Sequence, residues 1–168
     1  MTLFSGVRVL DLTRMLAGPY GTMLMADLGA EVLKIEEPDG GDPMRVMGPP
    51  FLPNGESAYF LAINRNKKSV ALDLTKPEGR QVFYDLVRVS DVVWDNFRPG
   101  IMAKLECDPP RLSALNPRLI CCSISAYGQE GPYRDWPAFD LALQAMGGAM
   151  SVTGEEGRAP VRMGRPIG

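Results

Sequence analysis

Short apolar runs alternate with amphipathic segments along the chain, and this alternation predicts strands that are joined by helices. The predicted strands lie at residues 6–13, 31–36, 69–74, 91–97 and 118–128. The predicted helices lie at 17–30, at 76–90 and within 139–154, where the helix ends at a glycine pair. A helical turn is predicted before the third strand, and two short helices are predicted within 98–117. Strands that alternate with helices across short joints indicate an α/β domain with a mainly parallel sheet and right-handed crossovers.

Two of the predicted helices carry patterns that indicate how they pack. Residues 17–30 are rich in small side chains, with Pro19 in the first turn and Gly29 near the end, which predicts a helix that lies close to its neighbours. Residues 76–90 have a proline at the second position and place apolar side chains on one side, which predicts an amphipathic helix. These apolar side chains are Val82, Phe83, Leu86 and Val87.

Polar and glycine-rich stretches follow four of the predicted strands. They read DLTRMLAGP, EEPDGGD, DNFRPG and SAYGQEGP. Ligands of open α/β sheets bind at the carboxyl ends of the strands, where we expect these stretches to lie. The second stretch opens a loop over residues 37–57, and loops of this length in compact domains are commonly functional or mobile. The sequence therefore predicts a ligand site at this edge of the sheet.

Two basic segments are candidates for that site, and each has a purely structural alternative. Arg14 lies in a turn before a helix N-terminus, which attracts phosphate or carboxylate, but the turn has neither GxGxxG nor a P-loop lysine. The alternative for Arg14 is a solvated side chain on a tight turn. Arg65, Lys67 and Lys68 form a basic bend that either faces a polyphosphate or is a solvated surface.

Residues after the strand at 91–97 and several carboxylates complete the candidates. Phe97 and Arg98 either stack on a ring and meet phosphate, or mark a strand exit whose aromatic ring returns to the core. Candidate nucleophiles or acid–base groups are Asp11, Glu36, Glu37, Asp42, Asp95 and Asp140. The pattern favours none of them, and the two that close strands, Glu36 and Asp95, are typical of turn caps.

Composition excludes several classes of function. The 168 residues contain no histidine, which excludes Ser-His-Asp and Cys-His nucleophile systems and histidine-ligated zinc within this chain. Cys107, Cys121 and Cys122 have no CxxC spacing, so we expect reduced thiols of an intracellular protein. A net charge of −2 provides no general attraction to nucleic acid or an anionic membrane, and no apolar run approaches a membrane span.

Taken together, these segments resemble the class III CoA-transferase family, which includes formyl-CoA transferase, carnitine CoA-transferase and 2-methylacyl-CoA racemase. The resemblance runs from about Val7 to Gly168 and includes GVRVLDLTRMLAGPY, LGAEVLKIEEPDGGDPMR, NRNKKSVALDL, PEGR, DVVWDNFRPG, LNPRLICCSISAYGQEGP and FDLALQAMGG, in this order. It implies a Rossmann-like, mainly parallel sheet with helices on both faces. Residues 1–168 are then an N-terminal CoA-binding domain, without the small domain and the C-terminal segment of the family.

The resemblance also implies, by motif position, a set of contacts to CoA. These residues are Arg14, Leu16, Ala17, Glu37, Leu72, Asp73, Leu74, Thr75, Asn96, Phe97, Arg98, Lys104, Ala138, Phe139 and Asp140. The cations and Phe97 suit a nucleotide, whereas Glu37 stands where some relatives carry a basic residue and cannot itself hold phosphate. CoA and acyl-CoA enter as substrates, so we expect no covalently bound cofactor and no metal.

The same resemblance implies a reaction. The family's catalytic aspartate follows the glycine of a segment similar to PVRMGRPIG, so we expect it directly after Gly168 and expect no catalytic residue within the chain. It attacks an acyl-CoA thioester to give a mixed anhydride and then a CoA thioester of the enzyme. We therefore expect a cytoplasmic, interlocked homodimer that acts on acyl-CoA and a small carboxylic acid, without nucleic acid or membrane partners, and an inactive 168-residue chain.

The sequence leaves three further hypotheses open. The first is the racemase branch of the family, which uses a histidine before the aspartate of the FD pair as an acid–base group. Phe139 occupies that position here and cannot move a proton, which favours the transferase branch. The second hypothesis is a non-catalytic CoA- or nucleotide-binding module. The third is an unrelated α/β scaffold whose basic bend is only surface.

Overall fold

The computed structural model describes residues 2–164. The chain divides into two compact units, Met1–Ile124 and Ser125–Gly168. The strands of the first unit are β1 Arg8–Asp11, β2 Glu31–Glu36, β3 Lys67–Ala71, β4 Val92–Asp95 and β5 Ile120–Ser123. Its α-helices are α1 Ala17–Asp27, α2 Ala58–Asn64, α3 Pro77–Arg88, α4 Ile101–Lys104 and α5 Pro109–Leu115.

The five strands form one parallel sheet in the order β3-β2-β1-β4-β5. The chain builds outward from β1 to β3 and then returns to place β4 on the other side of β1. The connections after β1 and β4 therefore leave in opposite directions, which makes the β1–β4 pair the topological switch point of a doubly wound sheet. The α/β class and the parallel, Rossmann-like sheet predicted from the sequence are confirmed.

Side chains alternate along the strands, so each face of the sheet has its own apolar cluster. Leu10 of β1 belongs to the larger cluster, which includes Phe83 of α3 and Leu112 of α5. Val9, the neighbour of Leu10, belongs to the second cluster with Ala26 of α1. Helices thus cover both faces.

Helix α3 buries Phe83 and Val87 of its predicted apolar side and partly buries Leu86, but Val82 is 47% exposed, so the buried stripe is narrower than the sequence pattern predicts.

Helix α1 lies very close to the sheet because glycine replaces larger residues along its inner side. A Cβ atom on Gly18 would collide with the side chain of Thr13, and a Cβ atom on Gly21 would press on the ring of Trp94 in β4. The close packing predicted from the small residues of this helix is confirmed. It brings the start of α1 directly against the turn that follows β1.

Charged side chains replace apolar ones at the last residue of β1 and the first residue of β3, on the face that α1 covers. The Nζ of Lys67 in β3 lies 3.0 Å from Oδ2 of Asp11 and donates at 2.8 Å to Oδ1 of Asn64. Asp11 also accepts from the backbone N–H of Thr13 at 2.9 Å and from Oγ1 of Thr22 at 2.7 Å. Burial lowers the pKa of Lys67, and Asp11 opposes that shift. The ammonium group is therefore paired rather than merely buried.

A second buried pair fastens the long loop to β2. The Nζ of Lys34 lies 2.9 Å from Oδ2 of Asp42 and donates to the backbone oxygen of Thr13 at 2.7 Å. Two residues further along β2, Glu36 accepts from Arg45 at 2.8 and 2.6 Å and from the backbone N–H of Asp42 at 2.9 Å. Lys34 and Glu36 of β2 thus both hold the loop 37–57. This loop contains a short 3₁₀ helix at Pro43–Val46.

The third strand begins earlier than predicted, since it covers Lys67–Ala71 rather than 69–74. The fold pairs all three cations of the basic bend, Arg65, Lys67 and Lys68, with carboxylates. A polyphosphate site at this bend stays a prediction. Lys67 is buried in the network above, and the other two bind carboxylates at the end of α1 and the start of β2.

The second unit contains α6 Asp140–Met146 and a 3₁₀ helix at Ala149–Val152. Helix α6 ends at the glycine pair, as the sequence predicts. Tyr127, Tyr133 and Trp136 pack on one another, with ring centroids between 4.4 and 6.3 Å apart. Tyr133 and Trp136 are 44% and 53% exposed, so this aromatic group is a contact at the surface of the unit.

The described residues include three free thiols, and burial raises the pKa of Cys107 to about 12. The free thiols agree with the prediction from cysteine spacing. Within residues 2–164, every helix is too short or too polar to cross a membrane.

Replacing Lys67 by methionine tests the buried ionic network. The lysine side chain is 2% exposed, so its removal leaves the Asp11 carboxylate buried without its cation. We expect a loss of about 3–5 kcal/mol in the free energy of unfolding, measured by urea denaturation. The matched control is Lys68→Met, because the adjacent Lys68 is 70% exposed and pairs with Glu31 at the surface. The control should cost less than about 1 kcal/mol, and equal losses in the two variants would contradict this account.

Candidate functional site

A cavity of about 460 Å³ opens where the loops after β1 and β4 meet. Its lining residues are Arg14, Met15, Asn96, Phe97, Arg98, Ile101 and Leu105. The first two follow β1, the next three follow β4, and the last two belong to α4 and its C-terminal end. The cavity therefore lies at the switch point of the sheet, where doubly wound folds bind their ligands.

Asn96 ties the two loops of the cavity together. Its Oδ1 accepts from the backbone N–H of Arg14, and its Nδ2 donates to the backbone oxygen of Arg14, both at 2.8 Å. The side-chain amide of Asn96 thus satisfies both backbone hydrogen-bonding groups of Arg14, as the backbone of a neighbouring strand would, although the two residues are 82 positions apart. The backbone of Arg14 is consequently fixed to the end of β4.

The next residue, Met15, adopts the left-handed backbone conformation with φ of 65°. This conformation costs a non-glycine residue roughly 1–3 kcal/mol, and it persists only where surrounding contacts hold it. Asp42 provides such a contact, since its Oδ1 accepts from the backbone N–H of Met15 at 3.2 Å. Lys34 in turn holds Asp42 by a buried ion pair. The conformation of Met15, and with it the shape of the cavity, therefore depends on this ion pair.

Phe97 and two guanidinium groups give the cavity its chemical character. The Cζ of Arg14 lies 5.2 Å from the centroid of the Phe97 ring, within the range of a cation–π contact. The ring also packs against the larger apolar cluster, so it serves the core and lines the cavity at once. Arg98 is exposed, and no carboxylate within residues 2–164 lies at ion-pair distance from it. The cavity thus offers an aromatic ring, apolar walls and positive charge.

Glu37 stands beside the cavity rather than in its lining. Its Oε1 lies 3.4 Å from Nη1 of Arg14, and the two side chains are about half exposed. The carboxylate therefore compensates part of the positive charge of Arg14, while the charge of Arg98 stays uncompensated by any described carboxylate.

The remaining predicted contacts lie in several places. Leu16 packs against the cluster of Met44, Phe60 and Ile63, and Ala17 is the exposed first residue of α1. The segment from Leu72 to Thr75 forms the turn after β3, and Lys104 ends α4 next to the lining residue Leu105. The last three belong to the second unit: Ala138, Phe139 and Asp140.

Sequence reasoning missed three of the lining residues. Ile101 and Leu105 are four positions apart at the start and end of α4, and this spacing places two apolar side chains on one face of a helix. That signal was present in the segment after RPG. Met15 carried no such signal, because its backbone conformation depends on contacts with distant residues.

The carboxylates at three strand ends and in the loop after β2 have structural roles. Asp11, Glu36 and Asp42 form ion pairs with Lys67, Arg45 and Lys34. Asp95 caps the turn after β4, since it accepts a hydrogen bond from the N–H of Phe97 at 3.1 Å. Burial raises the pKa of Asp95, which the hydrogen bonds from Ser123 and Phe97 partly oppose. The turn-cap role predicted for Asp95 is confirmed. The expected aspartate after Gly168 lies outside the described residues.

Within residues 2–164, the side chains of histidine, cysteine, aspartate and glutamate do not gather into any cluster that would hold a metal ion.

Comparisons with known proteins give the chain its family. The model of CoA-transferase family III matches residues 4–168. The chain is 46% identical over 165 residues to a succinate–glutarate CoA-transferase from Agrobacterium fabrum, covering 95% of this chain and 41% of that protein. It is 44% identical over 161 residues to an acetyl-CoA:oxalate CoA-transferase from Acetobacter aceti, covering 96% of this chain and 41% of that protein.

A solved structure agrees with these relatives. A CaiB/BaiF family protein from Brucella suis superposes with a TM-score of 0.93 at 43% identity, covering 98% of this chain and 44% of that chain. The chain therefore belongs to CoA-transferase family III. It spans about two fifths of the length of the curated relatives, as the coverage of 41% shows.

The carboxylate of Glu36 should make the free energy of unfolding depend on pH in the acid range. Burial opposes its ionisation, but hydrogen bonds from Arg45, Ser69 and the N–H of Asp42 outweigh burial and lower its pKa from 4.5 to about 2. Because the folded pKa is depressed, this stabilisation is complete above pH 4.5 and is lost as the pH falls through about 2. The free energy of unfolding should therefore decline in this window, measured by urea titrations at successive pH values.

Glu36→Gln should flatten this decline, because glutamine does not titrate. Glu78→Gln is the control, since Glu78 is exposed at the start of α3 and its side chain makes no hydrogen bond within residues 2–164. The control should keep the slope of the unaltered chain. A Glu36→Gln variant with an unchanged slope would show that the carboxylate is not stabilised in the fold.

Proposed function

We propose that this chain is the CoA-binding part of a CoA-transferase that moves CoA from an acyl-CoA donor to a carboxylic acid. The observation that carries the proposal is the cavity at the β1–β4 switch point, lined by Phe97, Arg14 and Arg98, in a chain of CoA-transferase family III. CoA combines an adenine ring, phosphate groups and a long apolar arm. An aromatic ring, guanidinium groups and apolar walls are the matching protein groups.

Within this proposal, each side of the cavity has a distinct role. The adenine ring stacks on Phe97, a contact worth about 1–3 kcal/mol in other nucleotide sites. Arg98 binds phosphate, since it is exposed and lacks a described carboxylate partner. Ile101 and Leu105 contact the apolar parts of the ligand. Contacts of Leu16, Ala17, Leu72 to Thr75, Lys104 and Ala138 to Asp140 with CoA are part of the same proposal.

The proposed reaction is nucleophilic catalysis by an aspartate. Its carboxylate attacks the thioester carbonyl, which forms an acyl–aspartyl anhydride and releases the thiolate of CoA. The thiolate then attacks the aspartyl carbonyl, which releases the donor carboxylate and leaves CoA on the enzyme as a thioester. The acceptor carboxylate reverses these two steps and departs as the new acyl-CoA.

We assign that nucleophile to the position after Gly168. The buried carboxylates at three strand ends and in the loop after β2 do not qualify, because ion pairs or hydrogen bonds occupy Asp11, Glu36, Asp42 and Asp95. This supports a division of labour in which the 168-residue chain binds CoA without transferring it. The interlocked homodimer and the cytoplasmic location of the whole enzyme are part of the same proposal.

Transfer fits the chain better than racemisation. Racemisation at an α-carbon needs a group that removes a proton and a group that returns it. Phe139 stands where the racemase branch carries histidine, and the chain contains no histidine. Names of the relatives point to short dicarboxylic acids as acyl groups, because they include succinate, glutarate and oxalate. We therefore propose succinyl-CoA as the donor to test first.

Calorimetric titration of CoA onto the chain tests the proposed site. We expect binding that weakens as salt is raised, because exposed cations meet phosphate groups. Arg98→Ala should weaken binding by about 10- to 150-fold, since a hydrogen bond to a charged group contributes about 1.5–3 kcal/mol. The matched control is Arg118→Ala, because Arg118 is exposed before β5 and therefore lies at the opposite edge of the sheet.

The control should bind CoA as the unaltered chain does. A circular dichroism melt on each sample establishes that the chain is folded. A folded chain that binds no CoA, or equal losses from the two arginine substitutions, would contradict the proposed site.

Turnover by the 168-residue chain tests the proposed place of the nucleophile. We expect no glutaryl-CoA from succinyl-CoA and glutarate, as followed by liquid chromatography, even where CoA binding is intact. A catalytically competent 168-residue chain would contradict that assignment and would move the nucleophile to a residue within the chain.

A further inference from the structure

Arg14 combines a fixed backbone with a side chain that has two neighbours. Asn96 holds its backbone through two hydrogen bonds of 2.8 Å, and the strained Met15 follows it. Its guanidinium lies 5.2 Å from the Phe97 centroid and 3.4 Å from the Glu37 carboxylate. The backbone of the turn is therefore fixed before a ligand binds. The guanidinium of Arg14 is the part of the turn that can exchange its partner, Glu37, for a ligand.

The chemistry of the proposed substrates makes that partner important. A CoA-transferase works among free carboxylic acids, and an unpaired guanidinium beside an apolar cavity binds carboxylates well. Glu37 already supplies a carboxylate to Arg14. A small carboxylic acid that enters the cavity would exchange one carboxylate for another and gain little. A phosphate group carries more negative charge and more acceptor oxygens, so it gains from the same exchange.

We propose that Glu37 is a positioning residue that keeps Arg14 paired until a phosphate of CoA displaces it, and so excludes small carboxylic acids from the Arg14 side of the nucleotide cavity. This inference rests on the proposed function and extends it to the selectivity of the same site. Glu37 acts on the ligand through Arg14 and does not hold phosphate itself. Its half-exposed position suits this role, because an exposed ion pair is weak enough for a ligand to break.

The test compares Glu37→Gln with Asp39→Asn by calorimetric titration of CoA. Both variants remove one negative charge from the loop after β2, but Asp39 is exposed and has no ion-pair partner within residues 2–164. We expect Glu37→Gln to bind CoA about two- to fivefold more tightly than Asp39→Asn, the range that corresponds to one exposed ion pair. Succinate should compete with CoA at lower concentration in Glu37→Gln than in the unaltered chain or Asp39→Asn.

A double variant shows whether Glu37 acts through Arg14. In the Arg14→Gln background, Glu37→Gln should give no gain in CoA affinity, because the guanidinium that it releases is absent. A gain that persists in this background would overturn the inference and assign Glu37 a direct repulsion of the ligand. Equal CoA affinity and equal succinate competition in Glu37→Gln and Asp39→Asn would also overturn it.

The two proposals fail in different ways. No CoA binding by the folded, unaltered chain removes the proposed function and this inference with it. CoA binding that Arg98→Ala weakens, but that Glu37→Gln leaves unchanged, removes the inference alone. Melting temperatures should be the same for Glu37→Gln and Asp39→Asn, which separates selectivity from a structural effect.

Discussion

Two buried ion pairs determine how the edge of the sheet at the candidate site is built. Lys67 and Asp11 join β3 to β1, and Lys34 and Asp42 join β2 to the loop that follows it. Both lysines sit where the alternation of an α/β strand would otherwise put apolar residues against α1. Transferring these charges from water is costly, and their pairing with hydrogen-bonded partners offsets that cost. The gain is geometric, because each pair also contacts the turn or the helix start after β1.

The geometry of the cavity follows from that arrangement. Thr13 accepts a hydrogen bond from Lys34 through its backbone oxygen, and Asp42 accepts one from Met15. Asn96 completes the turn from the side of β4. Loops that connect strands are commonly mobile, whereas these two are tied to buried groups. Their rigidity allows a cavity of about 460 Å³ to exist before a ligand binds, so less of the binding free energy is lost to ordering.

The aromatic ring and the two guanidinium groups have separate roles in the proposed site. Phe97 is anchored to the apolar cluster and presents a fixed surface for a ring. Arg98 is available to phosphate, while Arg14 is paired with Glu37. A site of this kind discriminates by the charge of the ligand as well as by its shape. That property is valuable in a protein whose proposed second substrate is a small carboxylic acid, which carries the same functional group as Glu37.

The sequence by itself determined the class of fold, the order of its elements and four residues that meet at the cavity. Alternating apolar runs predicted the parallel sheet, and the stretches DLTRMLAGP and DNFRPG predicted the positions of Arg14, Asn96, Phe97 and Arg98, because local hydrophobic period and turn composition are properties of neighbouring residues. Only the tertiary structure decided which cations are available. Lys67 looked like a surface charge and is buried against Asp11, and Arg14 looked free and is paired with Glu37. A charge is neutralised by whichever group the fold brings within a few ångströms. These partners are far apart in sequence, so the pattern of neighbouring residues does not predict which groups will pair.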